Sequence, residues 1–431
     1  MSISRRAASD GASEKETKSG HSRPQVGFIP GRSFVGRVLE CGWEVCDEVA
    51  RRGEWVVGLL DVRKSGALAE FITADRHRIH RVPHPQSHAN GSQPTAHSSS
   101  DGHLHSHSNQ YPAPPAAAPP PGPTLEELAL LPFALTAYRA VRTLIGLEGF
   151  GTGVRRGVGA VSPEGEPEVD SMSEERHRKG RSAAGRRALV LNGHTGTGAF
   201  VARMLAARGW RVCVHAPGTL SDAATGCTEA DKAHMATVQA RTRAWGVEEV
   251  VFDDGGGVGD GEDWGQGAAV RAIEQLIEDG DAFDAVVDTI GGRTVWEAGQ
   301  RLLVCAADGG RKQFTTTVGD SPERPVPSAM DNFRLGLRAM RGSQSESTKK
   351  EKGSKARTNV SYAWVSVAQD VDWEGGDVRD GLGVLVQMAL EAGMRPVVEN
   401  QLPFERAVDV FEGREDPAMR HGGSVVVKVV G

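Results

Sequence analysis

The stretch from Arg187 to Pro217 reads RALVLNGHTGTGAFVARMLAARGWRVCVHAP, and it decides the fold. A short apolar run is followed by the glycine-rich turn Asn192 to Gly198, by the helical periodicity of Ala199 to Arg208, and by a second apolar run. This order predicts the first βαβ unit of a dinucleotide-binding domain. Glycines let the backbone approach a pyrophosphate, and the helix N-terminus offers it N–H groups and a positive dipole end. The competing interpretation is an ordinary βα turn of an α/β protein.

The composition favours a soluble protein of two or three domains. The chain has 431 residues and a net charge of −6, which indicates no nucleic-acid partner. Its five cysteines lack the spacing of a metal site or a disulfide framework. No membrane span of ~18 apolar residues is expected. Residues 1–20 resemble neither a secretory signal nor an acid-poor mitochondrial transit peptide, so we expect a cytoplasmic protein.

The first part of the chain alternates between polar and apolar segments. Residues 1–25 are polar and predict a disordered tail. Apolar runs within residues 26–83 predict a small β-rich domain; they are Phe34 to Leu39, Trp55 to Leu60 and Gly66 to Thr73. The His- and Pro-rich residues 84–123 predict a disordered insertion, with a metal-binding histidine tract as the alternative.

A doubly wound parallel sheet is predicted for residues 124–330, interrupted by a charged insertion at 151–186. Beyond the glycine turn, short apolar runs alternate with helical stretches, which is typical of this architecture. The predicted strands are Val250 to Phe252, Ala285 to Asp288, Leu302 to Cys305 and Gln313 to Val318. A third polar insertion, residues 342–355, follows.

Six blocks in the same order resemble the medium-chain dehydrogenase/reductase superfamily, in particular its zinc-free quinone oxidoreductase and enoyl reductase-like branch. The blocks are PGRSFVGRV (Pro30 to Val38), GALAEFITAD (Gly66 to Asp75), LALLPFALTAYRAV (Leu128 to Val141), NGHTGTG (Asn192 to Gly198), FDAVVDTIGG (Phe283 to Gly292), and the ending LPFERAVDVFEG with HGGSVVVKV. The resemblance implies a GroES-like β domain from residues 26–83 and 331–431. A Rossmann domain, residues 124–330, is inserted between these parts. The resemblance also implies a homodimer and a cofactor in the cleft.

A catalytic zinc is not expected. Zinc-dependent members of the superfamily carry Gly-His-Glu where this chain has Gly31-Arg32-Ser33, and a guanidinium cannot coordinate the metal. No cysteine lies near Leu131 to Ala134, where another ligand is expected. Since a catalytic zinc needs three protein ligands, we predict a zinc-free site.

The end of the second strand of the βαβ unit favours NADPH over NADH. NAD-specific Rossmann domains place an Asp or Glu there, which binds the ribose 2′-hydroxyl. Here the strand ends Val214-His215-Ala216-Pro217, without a carboxylate. His215 or Arg211 could approach a 2′-phosphate, although an ordinary strand-end histidine is an equally good interpretation of His215.

The resemblance assigns further residues to the cofactor and to the substrate. The implied cofactor-binding residues are Thr136, Tyr138, Gly193, His194, Thr195, Gly196, Thr197, Gly198, His215, Asp288, Thr289, Val318 and Lys428. Tyr362 and Trp364 are implied to line the substrate pocket. Core packing is the alternative for Tyr138, Tyr362 and Trp364, and a surface position is the alternative for Lys428.

Together these features predict an NADPH-dependent, zinc-independent oxidoreductase that transfers a hydride to a quinone or an α,β-unsaturated carbonyl compound. The alternative is a catalytically silent nucleotide-binding or scaffold protein. In the family, a longer stretch precedes the block that matches Pro30; it supplies strands of the GroES-like domain and, in many members, a proton-donating tyrosine. Here that stretch is short and polar, so no general acid is assigned.

Overall fold

A computed structural model of the chain describes residues 29–62, 64, 66–85, 122–148, 185–218, 228–253, 266–305, 310–322, 328–341, 359–366, 375–408 and 424–429. The predicted tail at 1–25 and nearly all of the predicted insertions at 84–123, 151–186 and 342–355 lie outside the described residues.

The described residues form strands and helices that alternate along most of the chain. The strands are β1 (Ser33–Arg37), β2 (Trp55–Leu59), β3 (Ile79–Val82), β4 (Arg187–Val190), β5 (Arg211–Ala216), β6 (Glu249–Phe252), β7 (Ala285–Asp288), β8 (Arg311–Thr316), β9 (Asn359–Trp364), β10 (Asn400–Pro403) and β11 (Val425–Lys428). The helices are α1 (Leu125–Leu130), α2 (Ala134–Arg142), α3 (Ile145–Glu148), α4 (Gly196–Ala207), α5 (Glu229–Ala244), α6 (Gln266–Glu278), α7 (Arg293–Cys305), α8 (Ala329–Arg341) and α9 (Val378–Glu391). Short 3-10 turns lie at Arg76–Arg78, Leu131–Phe133 and Phe404–Arg406.

The strands from β4 to β9 form a parallel sheet in the spatial order β6-β5-β4-β7-β8-β9. Counted from β4, this order is 3-2-1-4-5-6, which is the Rossmann order and confirms the predicted doubly wound α/β fold. The order reverses between β4 and β7, and the carboxyl ends of these two strands border the crevice where such sheets bind ligands.

The six-stranded sheet is buried on both faces. In β4, Ala188 and Val190 face a cluster that includes α2, α4 and α9. Leu189, and Leu191 just beyond the strand, face the opposite cluster, which includes α6 and α7. All four side chains have 0% exposure. Because both of its faces are covered, β4 is a continuous apolar run after Arg187 rather than an alternating one.

Two smaller sheets flank this unit. β1, β2 and β3 form an antiparallel sheet with β2 in the centre, and β10 pairs with β11 in parallel. α9 packs against β3 on one side and against α2 on the other. At the start of α9, Asp377 Oδ2 lies 3.0 Å from Nδ1 of His77, which precedes β3. α9 therefore joins the three-stranded sheet to the Rossmann unit.

The predicted boundary at residue 330 is wrong. β9 lies within residues 331–431, which the resemblance assigns to the GroES-like domain, yet it pairs in parallel with β8 along its whole length. The backbone register from Asn359 to Trp364 makes β9 the sixth strand of the Rossmann sheet. The Rossmann unit therefore extends at least to Trp364.

Two predicted strands are not strands in the structure. The N–H groups of Gly66, Ala67 and Leu68 donate to carbonyls of residues 29–31, but the chain then turns away without a regular ladder. Leu302 to Cys305 is the end of α7, where Leu302 and Leu303 continue a buried helical stripe. A four-residue apolar run does not distinguish a strand from a buried helix end.

One described stretch is long and apolar enough to cross a membrane. Leu125–Leu147 has 23 residues; its most apolar 18-residue window has a mean hydropathy of 1.4, and 61% of that window is buried inside the protein. Pro132 lies in the 3-10 turn that separates α1 from α2. α2 packs against α4 and α9, so packing within the fold accounts for the apolar character of the stretch.

Candidate dinucleotide site

The glycine turn lies at the carboxyl end of β4, beside the crevice. Gly198 packs so closely that a Cβ atom would lie 2.2 Å from the carbonyl oxygen of Asn192. Gly193 donates its N–H to the carbonyl of His215 at 3.0 Å, which fastens the turn to β5. Gly196 has a φ of 51°, and a Cβ atom there would meet no other atom within 4 Å. The turn is therefore packed tightly against the protein at Gly198, whereas open space lies beside Gly196.

The N-terminus of α4 differs from those of three other helices. α1, α5 and α9 begin with complete capping boxes, in which a Thr or Asp side chain accepts a backbone N–H of the first turn. Thr195 is the N-cap of α4, but its side chain makes no capping hydrogen bond. The first N–H groups of a helix need partners from outside the helix. Without a capping side chain, and with open space at Gly196, this end of α4 fits an anionic group such as a pyrophosphate.

Neighbouring elements hold the turn in place. The hydroxyl of Thr289, which follows β7, donates to the carbonyl of Leu191 at 2.8 Å. Arg241 of α5 donates Nη2 to the carbonyl of His194 at 3.2 Å, and its Nη1 lies 2.7 Å from Glu399 Oε1. The ring of His194 is buried and lies edge-on to the ring of His234. The side chains of Thr289 and Arg241 therefore hold the turn by its backbone carbonyls, and the His194 ring packs inside the protein.

In the turns after β7 and β8, backbone N–H groups donate hydrogen bonds to side chains at the strand ends. Asp288 Oδ1 accepts the N–H groups of Ile290 and Gly291, both at 2.9 Å. Burial raises the pKa of Asp288, although those two hydrogen bonds act in the opposite direction. Thr316 Oγ1 likewise accepts the N–H of Val318 at 3.2 Å and that of Gly319 at 3.0 Å. Asp288 is thus a structural residue that shapes the edge of the crevice.

A carboxylate that the sequence analysis missed lies beside the end of β5. Asp253 follows β6; its Oδ1 accepts the N–H of Gly218 at 3.1 Å, and its Oδ2 lies 3.4 Å from Nε2 of His215. The side chains of His215 and Asp253 are 3% and 7% exposed. β5 itself ends without a carboxylate, but its parallel pairing with β6 brings one to it. The available signal was an Asp directly after an apolar strand, the pattern that also marks Asp288.

Thr136 and Tyr138 lie on α2, and both are half-buried. The ring of Tyr138 packs against the core cluster formed with α4, and the guanidinium carbon of Arg142 lies 5.4 Å from its centroid. These contacts favour core packing as the interpretation of Tyr138.

The structure does not bring the remaining three candidates, Tyr362, Trp364 and Lys428, together in one site. Tyr362 is 5% exposed and stacks on Phe314, with Arg338 5.0 Å from its centroid; burial raises its pKa. Trp364 is half-buried at the carboxyl end of β9. Lys428 is exposed on β11, in a different sheet. Tyr362 and Trp364 both lie on β9, the edge strand of the sheet that carries the glycine turn, and Trp364 is the residue at its carboxyl end.

Arg32 is the residue that the sequence resemblance aligns with a zinc ligand of zinc-dependent members of the superfamily. Its Nε donates to the carbonyl of Leu60 at 3.0 Å, so the guanidinium is bound to the backbone. Within the described ranges, no group of three or more His, Cys, Asp or Glu side chains could hold a metal ion.

No protein-family model matches the sequence, and no curated protein matches it. Solved structures do match. A mycobacterial quinone oxidoreductase has 18% identity and a TM-score of 0.48, with 93% of this chain and 82% of that one covered. The CurK enoyl reductase has 14% identity and a TM-score of 0.49, with 93% and 79% covered. An NAD-dependent alcohol dehydrogenase has 17% identity and a TM-score of 0.47, with 94% and 84% covered. By its own strand order this chain is a Rossmann-type α/β protein, and the solved structures to which it is similar include a quinone oxidoreductase, an enoyl reductase and an alcohol dehydrogenase.

Proposed function

We propose that the chain is an NADPH-dependent, zinc-independent oxidoreductase that transfers a hydride to a quinone or an α,β-unsaturated carbonyl compound. One observation carries the proposal: the uncapped start of α4 lies beside a closed glycine turn, where the strand order of the sheet reverses. A Rossmann sheet binds dinucleotides at this point. The acceptor class follows from the sequence resemblance.

Different residues of the chain would bind or border different parts of the dinucleotide. The backbone N–H groups at the start of α4, with the half-buried Thr197 beside them, would hold the pyrophosphate. Asp288 and Thr316 would keep the turns after β7 and β8 in shape, and Val318 would present an apolar side chain at the crevice. A nicotinamide cofactor bound there supplies the hydride.

The choice of NADPH rests on the end of β5. No residue of this strand end is acidic, and the two oxygens of Asp253 are directed at the N–H of Gly218 and the ring of His215. A carboxylate held in this way is not directed at a ribose 2′-hydroxyl, which is the group that NAD-specific sites recognise with an acidic residue.

A catalytically silent nucleotide-binding protein is the second candidate. The observation that favours it is the position of Tyr362, a substrate-pocket candidate, which is packed into the core. The cofactor half of the site is thus better supported than the half that would receive the substrate.

Titration of the full chain with NADPH and with NADH, followed by nucleotide fluorescence, tests the binding half. The Gly196→Ala variant adds a methyl group in the open space beside the start of α4, and should weaken binding roughly tenfold or more. Gly209→Ala is the matched control, because Gly209 also has a positive φ and open surroundings, but at the other end of α4. Equal effects of the two variants, or no binding by the wild type, would contradict the proposal.

Turnover separates the two candidate functions. Oxidation of NADPH in the presence of a panel of quinones and enones supports the reductase, and the rate should be unchanged after treatment with a zinc chelator. Binding of NADPH without oxidation by any acceptor supports the silent protein. A rate that falls on chelation and returns with Zn²⁺ would refute the zinc-independent assignment.

A further inference from the structure

Arg241, near the end of α5, contacts two separate parts of the molecule. Its Nη2 donates to the carbonyl of His194 in the glycine turn at 3.2 Å, and its Nη1 lies 2.7 Å from Oε1 of Glu399, which directly precedes β10. We propose that Arg241 is a positioning residue of the dinucleotide site: it fixes the backbone of the glycine turn, and Glu399 holds the guanidinium in the orientation that this requires. This inference rests on the proposed dinucleotide function and adds to it a coupling between the site and the segment before β10.

The contact with Arg241 orients one peptide group of the turn. In a planar trans peptide, the carbonyl and the following N–H point in opposite directions. A guanidinium that binds the carbonyl of His194 therefore directs the N–H of Thr195 away from itself. Thr195 is the N-cap of α4, so this peptide leads directly into the first turn of that helix. Arg241 thus sets the direction of the backbone at the point where α4 begins.

A guanidinium is suited to a contact with two acceptors. It is planar and its donors form a rigid fork, so a carboxylate that binds one nitrogen also fixes the direction of the others. The side chains of Arg241 and Glu399 are 20% and 23% exposed, so the pair is largely shielded from solvent. The ring of Trp245 lies beside it, with its centroid 5.8 Å from the guanidinium carbon. The carboxylate and the ring together restrict the position of the Arg241 side chain.

The segment that carries Glu399 is itself bound on two sides. Arg203 of α4 donates Nη2 to the carbonyl of Gly393 at 3.1 Å. The N–H groups of Glu399 and Asn400 donate to the carbonyl of Ser424, which directly precedes β11, at 3.1 and 3.3 Å. The position of the Glu399 carboxylate therefore depends on how the β10–β11 sheet is placed against α4.

Titration of the full chain with NADPH, followed by nucleotide fluorescence, tests the inference. Arg241→Gln loses the charged fork and should raise the dissociation constant roughly tenfold, because hydrogen bonds that involve a charged group are the stronger ones. Arg241→Lys keeps the charge but has no fork for two acceptors, so its affinity should lie between those of the wild type and Arg241→Gln. Glu399→Gln leaves the contact with the turn but removes the charge that orients the guanidinium, and should raise the dissociation constant roughly threefold.

A positioning role predicts two results that a merely stabilising contact would not give. In the Arg241→Gln background, Glu399→Gln should have no further effect on the dissociation constant, because Glu399 acts through Arg241. Coupling between two sites is reciprocal, so saturating NADPH should slow the hydrogen exchange of residues 393–402 in the wild type, and should slow it much less in Arg241→Gln. Additive effects on binding, or equal protection in both proteins, would contradict the inference.

Glu249→Gln is the matched control. Glu249 also pairs with an arginine, with Oε2 2.6 Å from Nη2 of Arg187, but it lies at the start of β6, on the opposite edge of the sheet from the glycine turn. This variant should bind NADPH as the wild type does. If Arg241→Gln does not fold, as judged by circular dichroism, Arg241→Lys and Glu399→Gln provide the same test.

The outcomes separate this inference from the proposed function. Equal affinities of the wild type and of the Arg241 and Glu399 variants would overturn the inference while leaving dinucleotide binding intact. Failure of the wild type to bind NADPH would overturn the proposed function and this inference with it.

Discussion

The carboxyl ends of β4 and β7 border the same crevice, but the turns that follow them are stabilised in different ways. After β7, the backbone N–H groups of Ile290 and Gly291 are taken up by the buried carboxylate of Asp288. After β4, the turn is closed by close backbone packing at Gly198, and the helix that follows has no capping side chain. One turn is thus satisfied by a side chain at its own strand end, whereas the start of α4 has no capping side chain. This difference, together with the glycine pattern, supports the anionic site proposed above.

The largest expected effect comes from the packed side of the β4 turn. Gly198→Ala places a Cβ atom 2.2 Å from the backbone oxygen of Asn192, an atom that cannot move aside independently. We expect the free energy of unfolding to fall by about 3 kcal/mol, measured by chemical denaturation. The control is Gly336→Ala on the exposed side of α8, where a Cβ atom meets nothing within 4 Å. That variant should be more stable by about 0.5–1 kcal/mol. Similar results for both variants would show that the turn is loosely packed.

At the carboxyl end of β7, the free energy of unfolding should depend on the side chain of Asp288 rather than on close packing of the backbone. Asp288→Ala leaves the N–H groups of Ile290 and Gly291 without their acceptor, and should lower the free energy of unfolding by about 2 kcal/mol. Asp288→Asn keeps an acceptor oxygen and should be tolerated far better at neutral pH. If Asp288→Ala were as stable as Asp288→Asn, the proposed difference between the two strand ends would be wrong.

The pH dependence of Asp288→Asn sharpens this comparison. Burial raises the pKa of Asp288, so the folded protein holds the proton more tightly than the unfolded chain does. The stabilising contribution of Asp288 is fully present below its unfolded pKa of about 3.9 and is lost as the pH rises through its folded pKa. The stability of Asp288→Asn relative to the wild type should therefore increase from about pH 4 upward, measured by thermal unfolding at several pH values. A constant difference would indicate that Asp288 titrates normally in the folded state.

The smallest effects are expected away from both strand ends. Tyr362→Phe removes a hydroxyl from a ring stacked in the core, and Lys428→Ala removes an exposed amine. Each variant should change the dissociation constant for NADPH by less than about twofold, because neither side chain reaches the glycine turn. A larger change in either variant would show that the residue affects the cofactor site.

The elements around the glycine turn were predictable because their signals are local. The residues of β4, α4 and β5 carry apolar runs and helical periodicity between glycines, and Asp288 directly follows an apolar run. β9 was assigned to the wrong domain because pairing with β8 joins residues from distant parts of the chain. Asp253 was missed for the same reason, since its position beside His215 depends on the register of β5 and β6. The burial of Tyr362 depends on α7 and α8 packing over β9, which no local pattern encodes.

The placement of α9 has a consequence for the order in which the protein is completed during synthesis. Asp377 contacts His77 across 300 positions of the sequence, and Arg379 donates to the carbonyl of Glu48 across 331 positions. At translation rates of roughly 5–20 residues per second, the ribosome needs on the order of 15 to 60 s to make the chain between such partners. For that time, the side of β3 that α9 covers has no partner helix. The three-stranded sheet emerges before the strands of the Rossmann sheet, but its contacts with α9 form only after β9 has been made.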